Sequence, residues 1–301
     1  MRSNSIFQRP FWVVIFALSA AISWGWAYPL IKLGLEEFAI TTTASKVLFA
    51  GIRFSTSGVI ILLVAKATHR PFKVKNISNW WYILLYAMVN TTLHYAFFYI
   101  GLSNSAGARA AIINSMGVFL LVLLATIFFK SDKLTLKKII GCVVGIGGVI
   151  VLNVGNGAGS SNFSLMGDGM IILNAICSAI AGLLTRGIGQ RVDIFVGTGY
   201  SLAIGGILLL VPSLLLGGNL PNTTLKGLIY LLLLISISTL GFTLYNKLIS
   251  CNPVGKVAIF NSLIPVVGAL TSCLCLGETF YWKYLIAVSL ATAGIYIINK
   301  S

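Results

Sequence analysis

Few polar residues in this chain are placed where they could do chemistry, and two of them form a matched pair. Residues 111–115 read AIINS and residues 258–262 read AIFNS, an offset of 147. Each puts an Asn-Ser pair inside an apolar run. An Asn amide offers two donors and an acceptor without a charge, so it can hold an ammonium or a carboxylate where a bare ion would be costly. His94 lies in NTTLHYAFFY (90–99), close to Asn90. A titratable imidazole in an apolar run can carry a proton. Trp24 and Tyr28, in WGWAYP (24–29), offer an aromatic wall with a polar edge. Asn174 and Ser178 stand four apart, on one helical face. These eight residues (Trp24, Tyr28, Asn90, His94, Asn114, Asn174, Ser178 and Asn261) are the candidate substrate-binding set. The bland reading of each is packing: Asn as interhelical glue worth about 0.6–2 kcal/mol, His as a neutral bond to a neighbour, Trp as an interfacial anchor.

That chemistry is recognition rather than bond-breaking. The sequence has no GxxxxGK[ST] phosphate loop and no HExxH, and no acids or cysteines are clustered for a metal. No catalytic residue, cofactor or metal is expected. The five cysteines fall in or at the ends of apolar runs and are read as core packing.

The elements that must position these residues follow from composition. The chain of 301 residues is 57% hydrophobic and 9% charged, against about 25% charged in soluble domains. Its apolar runs are about 20 residues long, the span of a bilayer helix. Ten are read, at 12–34, 41–66, 80–101, 108–129, 135–154, 166–187, 195–217, 224–248, 255–276 and 280–299. Backbone groups in lipid must be satisfied within the segment, so each is expected to be a helix. The first run follows Arg2 and Arg9 but continues to about Gly34, so it reads as a retained helix rather than a signal peptide. The net charge of +15 raises nucleic acid as a partner, but the placement of the charge argues against it. With the N-terminus inside, 15 cations fall on the inner side and five on the outer (Lys32, Lys46, Arg109, Lys226 and Lys283). Arg53 lies midway along the second run, where a cation is expensive unless paired or snorkelling. By the positive-inside rule both termini are expected to be cytoplasmic, in a plasma or bacterial inner membrane.

The Asn-Ser match extends without gaps. Residues 90–115 align with 237–262, with identities at Thr92/Thr239, Leu93/Leu240, Ser103/Ser250, Ala111/Ala258, Ile112/Ile259, Asn114/Asn261 and Ser115/Ser262. After a one-residue slip Asp132 pairs with Glu278 and Gly148 with Gly294. The third to fifth helices thus correspond to the eighth to tenth. The expected organisation is a first five-helix repeat (1–154), an external uncharged linker (155–165) and a second repeat (166–301). Five is odd, so the second copy is expected to enter the membrane from the opposite side, with the substrate at the midplane between halves. Glu278 is read as a charge suited to the first turn of the tenth helix. Gly141, Gly145 and Gly148 face Ala287, Ala291 and Gly294 in the alignment. Such spacing permits close helix contact, within one subunit or across a homodimer.

Several stretches resemble a known family. WGWAYPLIKLGL (24–35), the run NPVGKVAIFNSLIPVVGALTSCLCLGETFYWKYLIAVSLATAGIYIIN (252–299) and its first-half counterpart (103–153) are similar to the EamA-type transporters of the drug/metabolite transporter superfamily. The resemblance covers essentially the whole chain. It implies a secondary active exporter or exchanger of small metabolites. The partners expected are a small-molecule substrate, membrane lipids and either protons through His94 or a counter-substrate, in a monomer or homodimer. Amino acids or related zwitterionic or apolar compounds suit the polar set. A nucleotide-sugar or sugar-phosphate exchanger should carry several inward cations for phosphate, and only Arg53 is well inside. A non-transporting scaffold or receptor should lack a polar central cavity.

Overall fold

A computed structural model describes residues 6–128, 135–151, 163–252, 257 and 259–299. Among these the chain is helical, without strands. The helices run in chain order as α1 (Pro10–Glu37), α2 (Thr43–Ala67), α3 (Ile77–Ser103), α4 (Gly107–Asn114 continued by Met116–Phe128) and α5 (Leu136–Val151). The second half follows with α6 (Leu165–Arg191), α7 (Ile194–Leu215), α8 (Leu225–Cys251), α9 (Ile259–Ser262 continued by Leu263–Leu276) and α10 (Trp282–Asn299). By length and composition α1, α2, α3, the first 18 residues of α4, α6, α7 and α8 qualify as membrane spans, while α9 and α10 are apolar but shorter. Most of the expected linker, 155–162, and the expected Asp132 counterpart of Glu278 lie outside the described residues.

The long contacts join the halves rather than the helices within one half. α2 packs along α7, α5 along α10 and α4 against α9. α1 lies on α8 and α9, while α6 lies on α3 and α4. Exchanging the first five helices for the last five leaves this pattern unchanged, as an internal repeat requires. Glycine sets how closely α5 approaches α10. A methyl group on Gly141 would sit 2.7 Å from the Gly294 carbonyl oxygen, and one on Gly148 would sit 2.6 Å from that of Ala287. The small-residue stripe therefore serves packing inside the subunit.

Outward faces are apolar, as lipid contact requires: Leu63, Leu232 and Leu274 are among the exposed side chains. Phe11, Trp81 and Trp282 are exposed near helix ends, where an aromatic belt belongs. The cysteines divide. Cys142 and Cys177 are buried, but Cys275 is exposed and Cys251 and Cys273 are half-buried, so core packing does not describe all five. Cys273 and Cys275 stand two apart, and that spacing turns successive side chains to different faces of α9.

Candidate functional site

A cavity of about 430 Å³ lies between the halves. Seven of the eight candidate residues line it: Trp24, Tyr28, Asn90, His94, Asn114, Ser178 and Asn261. Asn174 does not. It is fully buried behind Asn114, where its Nδ2 donates to the Asn114 Oδ1 at 2.6 Å. The i, i+4 spacing did put Asn174 and Ser178 on one face of α6, but that face is wide enough for α4 to cover part of it.

The twinned Asn-Ser pairs mark helix irregularities as well as polar side chains. In α4 the helix breaks at Ser115, whose N–H bonds back to the Ile112 carbonyl at 3.1 Å and whose hydroxyl donates to the same oxygen at 2.6 Å. In α9 the stretch Ile259–Ser262 is a 3-10 turn. Tighter turns of this kind recur at functional positions, and interrupted helices at the midplane are where carriers built on repeats place their substrate. α3 is irregular too: Met88–Leu93 form a π-turn that carries Asn90 and Thr91. Asn90 Nδ2 donates to Ser201 Oγ on α7 at 3.2 Å.

Each Asn is steadied by a tyrosine. Asn114 Nδ2 donates to the Tyr28 hydroxyl at 2.8 Å, and Asn261 Nδ2 donates to the Tyr245 hydroxyl at 2.6 Å. Both tyrosines line the cavity. The tyrosines come from non-equivalent helices, α1 in one half and α8 in the other. Tyr245 aligns with Phe98, which packs edge-on against Tyr28 with ring centres 5.3 Å apart. The equivalence of the halves thus holds for the amides and is broken in what supports them. Asn114 has its acceptor occupied by Asn174, whereas Asn261 keeps its Oδ1 without a protein donor among the described residues.

Aromatic rings form the remaining wall. Trp24 meets Phe242 and Tyr245 edge-to-face, at 5.5 and 5.0 Å. Gly241, the aligned counterpart of His94, makes this possible: a methyl group there would lie 2.7 Å from Trp24 Nε1. The space that an imidazole takes in one half is taken in the other by an indole. Trp24 Nε1 and His94 Nδ1 are both enclosed without a hydrogen-bond partner among the described residues. His94 stacks on Tyr95 with ring centres 4.5 Å apart.

Arg53 also lines the cavity. It is 2% exposed, and its Nε donates to Ser238 Oγ at 2.8 Å and to the Leu234 carbonyl at 3.1 Å. Its Nη1 donates to the Tyr99 hydroxyl at 3.1 Å. Composition alone marked this cation as costly; only its neighbours reveal that it faces the cavity.

One end of the cavity is shut. There Arg109 holds Asp168 through two hydrogen bonds of 2.8 Å, joining α4 to α6. Gly277, at φ +62, follows the end of α9 in the left-handed region that favours glycine. The turn carries Glu278 onto the start of α4, not of α10 as expected. Its two oxygens accept from the backbone N–H groups of Gly107 (2.7 Å) and Ala108 (3.0 Å), and Lys32 approaches at 3.4 Å. A carboxylate completes the unpaired N–H groups at a helix start whichever element supplies it. Toward the other end the cavity extends to Lys138, Ile249 and Ile298, at the start of α5 and the ends of α8 and α10.

Comparison with known proteins agrees with this architecture. The profile of the EamA-like transporter family matches the chain twice, over residues 11–154 and 165–300. The chain is similar to the uncharacterized transporter YvbV of Bacillus subtilis, with 28% identity over 92% of this chain and 88% of that protein. It is also similar to the WAT1-related protein At3g02690, chloroplastic, of Arabidopsis thaliana (28%, covering 96% and 69%). A probable amino-acid metabolite efflux pump of Salmonella typhimurium is 25% identical, over 93% of this chain and 92% of that one. A solved crystal structure superposes with a TM-score of 0.67 over 95% of both chains at 15% identity, a likeness of fold. The chain belongs to the EamA-like transporter family, as a multi-pass helical membrane protein with an internally repeated fold.

Proposed function

We propose that this protein is a secondary active carrier that moves amino acids or related zwitterionic or apolar compounds by alternating access, as an exporter or an exchanger. The observation that carries this reading is the cavity between the halves, with Asn114 and Asn261 on its wall and one end shut. Its volume falls in the roughly 300–1,000 Å³ range of small-molecule sites. Its mixture of aromatic walls and few polar groups suits a small metabolite with one apolar part. In this reading Asn114, Asn261, Asn90, His94 and Ser178 meet the polar part of the substrate and Trp24 and Tyr28 the apolar part, while Asn174 orients Asn114. The name of the Salmonella relative, a probable amino-acid metabolite efflux pump, adds weight to amino acids or their metabolites. The inner-side excess of cations supports cytoplasmic termini and a cell membrane, and the apolar outer faces make lipid the surrounding partner.

Uptake into proteoliposomes against a panel of amino acids tests this, with and without a pH gradient. Saturable uptake stimulated by the same amino acid on the far side is expected. If His94 carries the coupling proton, His94→Gln removes the response to the gradient and leaves exchange intact. Uptake no greater than in protein-free liposomes across the panel would contradict the proposal.

A further inference from the structure

Among the described residues, Arg53 is a buried cation without a counter-charge. Five carboxylates stand among the described residues, and four are engaged elsewhere: Glu37 with Lys226, Asp168 with Arg109, Asp193 with Arg70 and Glu278 with Lys32. The fifth, Glu36, is exposed at the end of α1. The protein instead offers Arg53 neutral acceptors, namely the Leu234 carbonyl and the hydroxyls of Ser238 and Tyr99, and the ring of Phe54 at 4.8 Å. These orient the guanidinium without neutralising it. Removing a charge from water is expensive unless it is paired. A carrier that keeps one unpaired at the wall of its cavity leaves room for the partner to arrive with the ligand.

The unused donors point to the kind of partner. A guanidinium has five N–H donors. The Nε proton and one Nη1 proton are engaged by the acceptors above. Nη2 and the second Nη1 proton have no protein acceptor among the described residues, and Nη2 is not enclosed. Adjacent N–H groups on the two Nη atoms form the fork that matches a carboxylate. A phosphate ester, with up to two charges, would call for further cations around it. Among the described residues, the other cation on the cavity wall, Lys138, is at the start of α5.

We infer that Arg53 is the anchor for a carboxylate of the transported compound. The inference rests on the carrier reading and narrows it: the substrate is a monocarboxylate, and an ammonium, where present, falls to acceptors such as Asn261 Oδ1, which has no donor among the described residues. The aromatic wall of Trp24, Tyr95 and Phe242 takes the apolar remainder.

Three ligands that differ only at their polar end test this on the purified, detergent-solubilised protein: L-phenylalanine, 3-phenylpropanoate and 2-phenylethylamine. Thermal stabilisation should follow the carboxylate, so the first two protect and the amine does not. Arg53→Lys, which keeps the charge and loses the fork, should weaken protection by 3-phenylpropanoate at least tenfold. Arg53→Met should abolish it, and if that variant does not fold, the lysine variant and the wild-type ligand contrast decide. Protection by the amine equal to that by the acids would overturn the assignment, as would unchanged protection in Arg53→Lys or equal protection by inorganic phosphate. Transport of amine and amino acid alike in proteoliposomes would remove Arg53 as the anchor and leave the carrier. Neither binding nor transport of any of the three would remove both.

Discussion

The two ends of the cavity are built differently. At the shut end each tie crosses between the halves, and the strongest are buried. Arg109 and Asp168 have side chains only 4% and 3% exposed, and Glu278 reaches from the second half to cap α4 of the first. At the other end, Arg70 pairs with Asp193, 3.7 Å apart and with Arg70 39% exposed, and neither residue lines the cavity. A smaller cavity shares Thr185, Asn246 and Ile249 with the main one there. Under the proposed alternating-access cycle, the contrast reads as a site that extends toward the side of α5's start and α8's end and is closed off by buried ties on the other. If the termini are cytoplasmic, this is the inward-facing form. In the proposed carrier cycle, opening the sealed end means separating the buried Arg109–Asp168 pair.

The largest expected effect comes from the sealed end. Arg109→Gln leaves Asp168 buried without its partner, and breaking a buried pair in this way costs about 3–5 kcal/mol. Arg70→Gln, at the exposed pair, should cost about 1 kcal/mol or less. Denaturation of the two variants in detergent measures the difference; equal losses would erase the distinction between the ends. Next comes Glu278→Ala, which strips α4 of two charge-assisted bonds at its start and should cost about 1–2 kcal/mol. It should also loosen the seal. Ser272 is fully buried and its Oγ lies 2.5 Å from where a methyl group on Gly107 would be. A cysteine there, in a background without the native thiols, should label faster once Glu278 is replaced. An unchanged labelling rate would make Glu278 a cap and no part of a gate.

The smallest effects belong to the paired amides. Asn114→Ala and Asn261→Ala should each weaken substrate binding two- to tenfold, the equivalent of about 0.5–1.5 kcal/mol. They should differ in stability. Asn114 joins α1 to α6 through Tyr28 and Asn174, whereas among the described residues Asn261 bonds only Tyr245. Melting temperature should therefore fall further for Asn114→Ala. Binding unchanged in both, with melting lowered in both, would make them helix glue.

Much of this was legible in the sequence because lipid is an exacting solvent. Ten apolar runs read as helices, since nothing else satisfies the backbone, and the AIINS and AIFNS pair disclosed the repeat on which the cavity depends. What was hidden depended on contacts between distant segments. Glu278 stands four residues before α10 in sequence, yet Gly277 turns it onto α4. Asn174 shares a helical face with Ser178, yet Asn114 covers it. Arg53 was visible as a charge in an apolar run, but whether it would snorkel, pair or face the cavity rests on Leu234, Ser238 and Tyr99, which belong to other helices. The break at Ser115 has no proline or glycine at that residue to announce it; only its recurrence as a 3-10 turn in α9 makes it intelligible.

The central claim is that the two ends open in turn. Distances between spin labels on both ends of one molecule test it most directly, in a background without native cysteines. Asn104 and Phe280, exposed at the sealed end, belong to different halves, as do Thr135 and Ser250, exposed at the open end. With a transported amino acid present in the membrane-reconstituted protein, a longer-distance population should emerge between 104 and 280 while a shorter one emerges between 135 and 250. Two distances that stay fixed, or that lengthen together, would contradict alternating access in this protein.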